Sequence, residues 1–109
     1  QLPYAIAMEM LLTGDAISAQ DAHKWGLVNA VVPREQLMQK AHEYAHRIIK
    51  NGPLGVQATK ELAIRSMDVD MATGLRMEQV MIRHLLKTED VKEGLAAFAE
   101  KRSPVFKGV

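Results

Sequence analysis

Glycine and proline interrupt the first half of this chain at short intervals, and this spacing restricts that half to short helices. The interruptions there fall at Gly14, Gly26, Pro33 and residues 51–53, and Pro104 lies near the end of the chain. Glycine commonly ends a helix because it tolerates left-handed backbone, whereas proline is accommodated only in a helix's first turn. Between the breaks, apolar residues recur at helical spacing. The clearest apolar stripe consists of Leu37, Met38, Ala41, Ala45, Ile48 and Ile49.

The first third of the chain is expected to hold two helices and one extended segment. The first helix covers residues 3–13 and ends at Gly14. Ser18 and Asp21 have the spacing of a capping box at the start of a second, short helix that Gly26 closes. The segment 27–32 is β-branched and short, which predicts a strand or extended stretch, but no second strand is evident to pair with it.

The remaining residues are predicted to form further amphipathic helices. Pro33 opens the third helix, and residues 51–53 separate it from a fourth. A fifth helix is expected over about residues 70–87. The last begins near Thr88 or Asp90 and is stopped by Pro104. The fold class is therefore mostly α, with five or six helices in one domain, 1–109. Because such short helices seldom bury their apolar faces alone, we expect the chain to self-associate.

Composition excludes several classes of function. Hydrophobic residues make up 48% of the chain and aromatic residues only 5%, a balance typical of helical cores. The net charge of +1 gives no indication of nucleic-acid binding, and the absence of cysteine excludes disulfides and thiolate metal sites. No apolar run approaches the ~20 residues of a membrane span. The apolar N-terminus lacks a basic leader and contains Glu9, so we expect a helix there and a cytoplasmic protein.

Residues 42–46, His-Glu-Tyr-Ala-His, match the H-E-x-x-H pattern of zinc hydrolases. In that pattern His42 and His46 would bind zinc from one helix face, and Glu43 would act as general base. Lys40 and Arg47 stand where the longer zincin pattern has uncharged residues, and no convincing third ligand is evident. We therefore interpret the pair as surface histidines of an amphipathic helix.

Short motifs follow one another along nearly the whole chain. They are LTG at 12–14, ISA-x-x-A at 17–22, GLVN at 26–29, VVP at 31–33, NGP at 51–53 and EGLAAFAEKRSPVFKGV at 93–109. Their order resembles the crotonase (enoyl-CoA hydratase/isomerase) superfamily, and the C-terminal motif is the most specific. The sequence AMEMLLTG and the KR-x-P-x-F-KG ending favour hydratase- or dehydratase-like members, such as carnitinyl-CoA dehydratases.

The resemblance implies a C-terminal helical region whose catalytic half lies upstream. Enzymes of this superfamily hold the thioester oxyanion of an acyl-CoA with two peptide N–H groups and use glutamates as general acid and base. No residue of this chain matches those positions, so no catalytic residue is assigned and the isolated chain is expected to be inactive. The implied substrate is an α,β-unsaturated acyl-CoA thioester, with no separate cofactor. The implied assembly is a homo-oligomer, a trimer or hexamer that truncation could alter.

The resemblance also implies binding roles near the C-terminus. Phe98 would stack near the adenine of coenzyme A, and Lys101 would pair with a phosphate, roles that suit an aromatic face and an ammonium. Ile82, Leu85 and Leu86 would line the acyl pocket. Each role has a structural alternative: Phe98 as a core residue, Lys101 as a solvated helix-end cation, and the three aliphatic residues as ordinary packing.

Three hypotheses follow from the sequence. The first is the C-terminal part of an enoyl-CoA hydratase or dehydratase that supplies oligomer contacts and part of the coenzyme A site. The second is a purely structural helical oligomerisation module without a ligand site. The third is a small zinc hydrolase that uses His42, Glu43 and His46.

Overall fold

The computed structural model describes residues 2–109 and is mostly α-helical, as predicted. Its residues divide into two compact units, one ending at Ala41 and one comprising His42–Val109, and the boundary falls within the third helix. No helix within residues 2–109 has both the length and the apolar character needed to cross a bilayer. The helices are α1 (Tyr4–Thr13), α2 (Ala19–Lys24), α3 (Leu37–Ile49), α4 (Pro53–Arg65), α5 (Met71–Leu85) and α6 (Glu89–Ala99).

The first unit confirms the predicted helix ends. Gly14 closes α1 with a left-handed φ of 74°, and its N–H donates to the carbonyl of Met10 at 3.0 Å. The Ser18 hydroxyl accepts from the N–H of Asp21 at 3.0 Å, which is the predicted N-terminal cap of α2. Gly26, with φ of 76°, then allows the N–H of Leu27 to bond the carbonyl of Ala22 at 2.8 Å. This 6→1 bond is the signature of a Schellman helix end.

The segment that follows α2 is irregular. Within residues 2–109 no segment forms a β-strand, and residues 30–33 have no regular secondary structure. The sequence predicted a strand or an extended stretch at residues 27–32 and no second strand to pair with it. No strand forms within residues 2–109. Pro33 does not open α3 directly, because a 3-10 turn at Arg34–Gln36 comes first and the α-helix begins at Leu37.

The second unit is built around α4, α5 and α6. The predicted break at residues 51–53 separates α3 from α4, and Pro53 occupies the first turn of α4. Helices α4 and α5 pack against each other. Asp70 caps α5, with its carboxylate accepting from the N–H of Thr73 at 3.0 Å. A side-chain cap thus fixes the start of α5, whereas α4 begins at a proline without one.

Large apolar side chains are widely exposed in both units. Among residues 2–109 the buried apolar residues are the small Ala22 and Ala97, whereas Met67 and Phe98 are each 86% exposed. Burying such side chains stabilises proteins by roughly 25 cal/mol per Å² of apolar surface. The helices therefore present a large apolar surface that a further protein layer could cover favourably.

Candidate functional site

Helix α6 begins with a side-chain cap that also ties it to α5. The Thr88 hydroxyl accepts from the N–H of Val91 at 3.3 Å and donates to the carbonyl of Leu85 at 2.7 Å. Glu89 and Asp90 lie in the first turn, where negative charge is favoured by the helix dipole. The start of α6 therefore follows the predicted N-terminal pattern.

Asp90 holds the C-terminal tail against the first turn of α6. Its side chain is buried, with 5% of the residue's surface exposed, and its two carboxylate oxygens accept from Lys107 N–H at 2.6 Å and Gly108 N–H at 2.8 Å. Its own N–H donates to the carbonyl of Val109 at 3.1 Å. A buried carboxylate is costly without hydrogen bonds, and the tail backbone supplies them.

Glu93 and Arg102 form a second attachment, one that joins the middle of α6 to the residues after it. Two guanidinium nitrogens of Arg102 donate to the two Glu93 oxygens at 2.6 and 2.9 Å, and Val105 N–H donates to Glu93 at 2.8 Å. The hydrogen bonds from Arg102 and then from Val105 lower the pKa of Glu93 from 4.5 to about 2. Arg102 also donates to Glu100 at 2.6 Å, and these two carboxylates raise its pKa.

Lys101 occupies a backbone conformation that usually belongs to glycine. Its φ is +55°, and apart from glycines no other residue within 2–109 has positive φ. The N–H of Arg102 bonds the carbonyl of Ala97 at 3.0 Å, and that of Lys101 bonds the carbonyl of Phe98 at 3.3 Å. This is the Schellman end seen at Gly26, but with a lysine where glycine is preferred, at a cost of roughly 1 kcal/mol. The helix thus ends at Ala99, several residues before Pro104, the predicted stop.

Phe98 is directed away from the core of its own chain. It is 86% exposed, whereas its neighbour Ala97 is 1% exposed. The core alternative for Phe98 therefore does not describe this chain. Lys101 is also exposed and forms no ion pair with any of residues 2–109, whereas the adjacent Arg102 is held by Glu93 and Glu100. An exposed aromatic ring and an uncommitted ammonium thus lie at the same end of α6.

A groove of about 900 Å³ lies in the second unit, lined by residues of α3, α4, α6 and the tail. The ring of Phe106 contributes to it and lies against Gly52 and Gly94, where an added methyl group would meet the ring at 3.7 and 3.6 Å. Leu85 also lines this groove, whereas Ile82 and Leu86 are not among its lining residues and are exposed. Of the three residues expected to line the acyl pocket, this groove therefore takes in Leu85 alone.

The anchoring roles of Asp90, Glu93 and Phe106 were not predicted from the sequence. The signal available was the phenylalanine in the KR-x-P-x-F-KG ending, together with acids placed early in the last helix. Neither pattern reveals that the tail folds back onto α6, since the bonds join residues up to nineteen positions apart.

The two histidines of the H-E-x-x-H pattern are exposed on α3, as the surface interpretation predicted. Their ring centroids are 6.4 Å apart. Within residues 2–109 no further His, Asp or Glu joins them to complete a three-ligand metal group. The geometry therefore gives no support to a zinc hydrolase, which needs three protein ligands and an open position.

Comparison with known proteins connects these features to one family. The family model for enoyl-CoA hydratase/isomerase matches residues 1–109. An (E)-benzylidenesuccinyl-CoA hydratase from Thauera aromatica is 44% identical over 107 residues, which is 98% of this chain and 42% of that protein. A carnitinyl-CoA dehydratase from Salmonella typhi is 40% identical over 111 residues, with the same two coverages. The chain thus spans less than half the length of these relatives.

Solved structures give the same result. An enoyl-CoA hydratase from Mycobacterium marinum superposes with a TM-score of 0.94 at 39% identity, covering 100% of this chain and 45% of that one. An enoyl-CoA hydratase from Bacillus anthracis superposes with a TM-score of 0.91 at 46% identity, covering 94% and 40%. Since the family model matches the chain from end to end, this chain belongs to the enoyl-CoA hydratase/isomerase family.

Proposed function

We propose that this chain is the C-terminal helical part of an enzyme that adds water to, or removes it from, an α,β-unsaturated acyl-CoA thioester. The observation that carries the proposal is the match of 98% of the chain to 42% of a hydratase and of a dehydratase that both act on CoA thioesters. The KR-x-P-x-F-KG ending supports the C-terminal placement, because it resembles the ending of this superfamily.

The chemistry of that reaction lies outside these residues in this proposal. Water addition requires an oxyanion hole for the developing enolate and carboxylates that transfer protons. Glu93, whose pKa is strongly lowered, accepts hydrogen bonds from Arg102 and Val105 and thus holds the tail against α6. We expect the catalytic groups on the remainder of a longer enzyme, and the isolated chain to be inactive toward enoyl-CoA esters.

Binding of coenzyme A is the role proposed for the end of α6. The exposed ring of Phe98 would stack on the adenine, and the ammonium of Lys101 would pair with a phosphate. Two features support this assignment. Lys101 has a left-handed backbone conformation that glycine would adopt with less strain. Its ammonium forms no ion pair with any of residues 2–109, whereas the guanidinium of Arg102 is paired with Glu93. Strain retained at one residue is a reason to look for function there.

Two further roles complete the proposal. Ile82, Leu85 and Leu86 would line the acyl pocket once a neighbouring layer brings a wall opposite α5, and simple packing is the alternative. The exposed apolar faces would be covered in a homo-oligomer, as the superfamily resemblance implies. The proposed location is the cytoplasm. The purely structural alternative is favoured by the same exposed surface, and it predicts oligomers with no affinity for coenzyme A.

The test is a calorimetric titration of the purified chain with coenzyme A, alongside Lys101→Ala and Lys92→Ala. Lys92 is a matched control because it lies on the same helix and pairs with Glu89 at the surface. We expect saturable binding that weakens about tenfold or more in Lys101→Ala, the scale of a lost charged hydrogen bond, and is unchanged in Lys92→Ala. No binding, or equal loss in both variants, would contradict the assigned half-site.

A further inference from the structure

The histidine pair on α3 has a property that the proposed function does not use. The Nδ1 atom of His46 lies 2.7 Å from the backbone carbonyl of His42, one turn earlier in the helix. A carbonyl oxygen can only accept, so Nδ1 must carry the proton and donate it. In the neutral ring the lone pair is then on Nε2, which makes Nε2 of His46 the available metal-binding atom.

This arrangement is the one that protein metal sites use to orient a histidine ligand. A ligating imidazole almost always donates its other N–H to a carboxylate, carbonyl or water, which fixes both the tautomer and the ring orientation. At His46 the helix backbone itself provides that partner. The exposed ring of His42 lies one turn away on the same helix face.

The distance between the rings fits a shared metal ion after a small rotation. The centroids are 6.4 Å apart, with planes inclined by 51°. An ion about 2.0–2.1 Å from one nitrogen of each ring, in tetrahedral geometry, requires centroids about 5 Å apart. Exposed side chains change rotamers freely, so a rotation of His42 alone can close this gap without breaking the bond that orients His46.

Charges of both signs lie near the histidine pair, and the cationic side chains outnumber the anionic one. Lys50 lies one turn after His46 and opposes a bound cation, whereas Glu43, three residues before His46, favours one. The guanidinium of Arg47 is placed over the ring of Tyr44, 5.6 Å from its centroid. Imidazole ligands suit borderline transition metals and not calcium or magnesium, which prefer oxygen.

We propose that His42 and His46 form a bidentate surface site for a transition-metal cation such as Zn²⁺, Ni²⁺ or Cu²⁺, with water completing the coordination. The site is independent of the acyl-CoA role and differs from a zinc hydrolase, because two protein ligands bind an ion without building a catalytic centre. Affinity follows the Irving–Williams order, so Cu²⁺ binds more tightly than Ni²⁺ or Zn²⁺.

The experiment is isothermal titration of the full chain with each metal ion, compared with His42→Gln, His46→Gln and His84→Gln. His84 is the matched control, an exposed histidine on α5. One ion per chain is expected, with affinity falling about tenfold or more in either pair variant, the scale on which metal sites respond even to changes in outer partners, and unchanged in the control. Metal should also raise the melting temperature of the parent chain and of His84→Gln.

Three results would overturn the proposal. They are the absence of saturable binding by the parent chain, binding that survives both pair substitutions, and an equal loss in His84→Gln. Glutamine has the size and helix propensity needed at exposed helix positions, so we expect the variants to remain folded. The circular dichroism of each variant distinguishes a loss of metal binding from a loss of folding.

Discussion

At the scale of single residues, Lys101 combines a strained backbone conformation with a proposed role in binding coenzyme A. The Schellman ends of α2 and α6 have the same hydrogen-bond pattern, yet one is closed by Gly26 and the other by Lys101. A lysine in left-handed backbone is less stable than a glycine there. The side chain of Lys101 is therefore retained against a local conformational cost.

Replacing Lys101 by glycine and by alanine separates its two roles. Lys101→Gly should raise the free energy of unfolding by up to about 1 kcal/mol, because the left-handed strain is relieved, whereas Lys101→Ala should leave it nearly unchanged. Both should lose affinity for coenzyme A. Urea denaturation and calorimetry measure the two effects, and a glycine variant less stable than alanine would show that Lys101 is not the residue in left-handed backbone.

Glu93 makes the stability of the chain dependent on acidic pH. Its pKa is lowered in the folded state from 4.5 to about 2, so its contribution is present above about 4.5 and is lost as the pH falls toward 2. Glu93→Gln should therefore lose less stability than the parent between pH 5 and 2. Urea midpoints across this range test it. Glu61→Gln, at a surface pair on α4, should keep the steeper parental dependence.

At the scale of elements, the helix ends determine what the helices present. Several were predictable from local chemistry: Gly14, Ser18 and Gly26 act as the sequence indicated. The sequence also predicted the break at residues 51–53 and a helix start near residue 70. The end of α6 was not predictable, because the sequence points to Pro104 while the backbone turns at Lys101. A lysine gives no local signal for left-handed backbone. The residues after the turn are held by longer-range bonds that Glu93 and Asp90 accept.

The attachment of the tail to α6 depends on the Asp90 carboxylate. Asp90→Asn would turn an amide NH₂ toward one of two tail N–H donors, which leaves a donor unsatisfied and costs about 1–3 kcal/mol. Hydrogen exchange should become faster at Lys107 and Gly108. Asp70→Asn is the control, since asparagine caps a helix about as well as aspartate. Unchanged exchange in Asp90→Asn would mean that other contacts hold the tail.

At the scale of the whole molecule, exposed apolar helix faces dominate. The sequence predicted amphipathic helices, but periodicity alone could not tell which faces are covered within the chain. Exposure also decides the candidate site: it excludes Phe98 from the core and leaves Ile82 and Leu86 uncovered. Their proposed binding roles depend on neighbours that residues 2–109 do not supply, so neither periodicity nor burial within these residues could reveal them.

Self-association is the expected consequence of that exposed surface. The chain should sediment as an oligomer whose population rises with concentration, because association removes apolar surface from water. Phe98→Ser removes one of the most exposed large side chains, and Ser66→Ala is a control outside that surface. Analytical ultracentrifugation of the three proteins tests this expectation. A strictly monomeric parent chain at high concentration would contradict it.

We propose that this chain carries part of an acyl-CoA site but not the catalytic groups. The purified chain can be mixed with a short-chain enoyl-CoA while binding heat and the absorbance of the conjugated double bond are followed in the same sample. We expect saturable binding with no loss of absorbance. Hydration abolished by a glutamate-to-alanine change in this chain, or the absence of any binding, would contradict it.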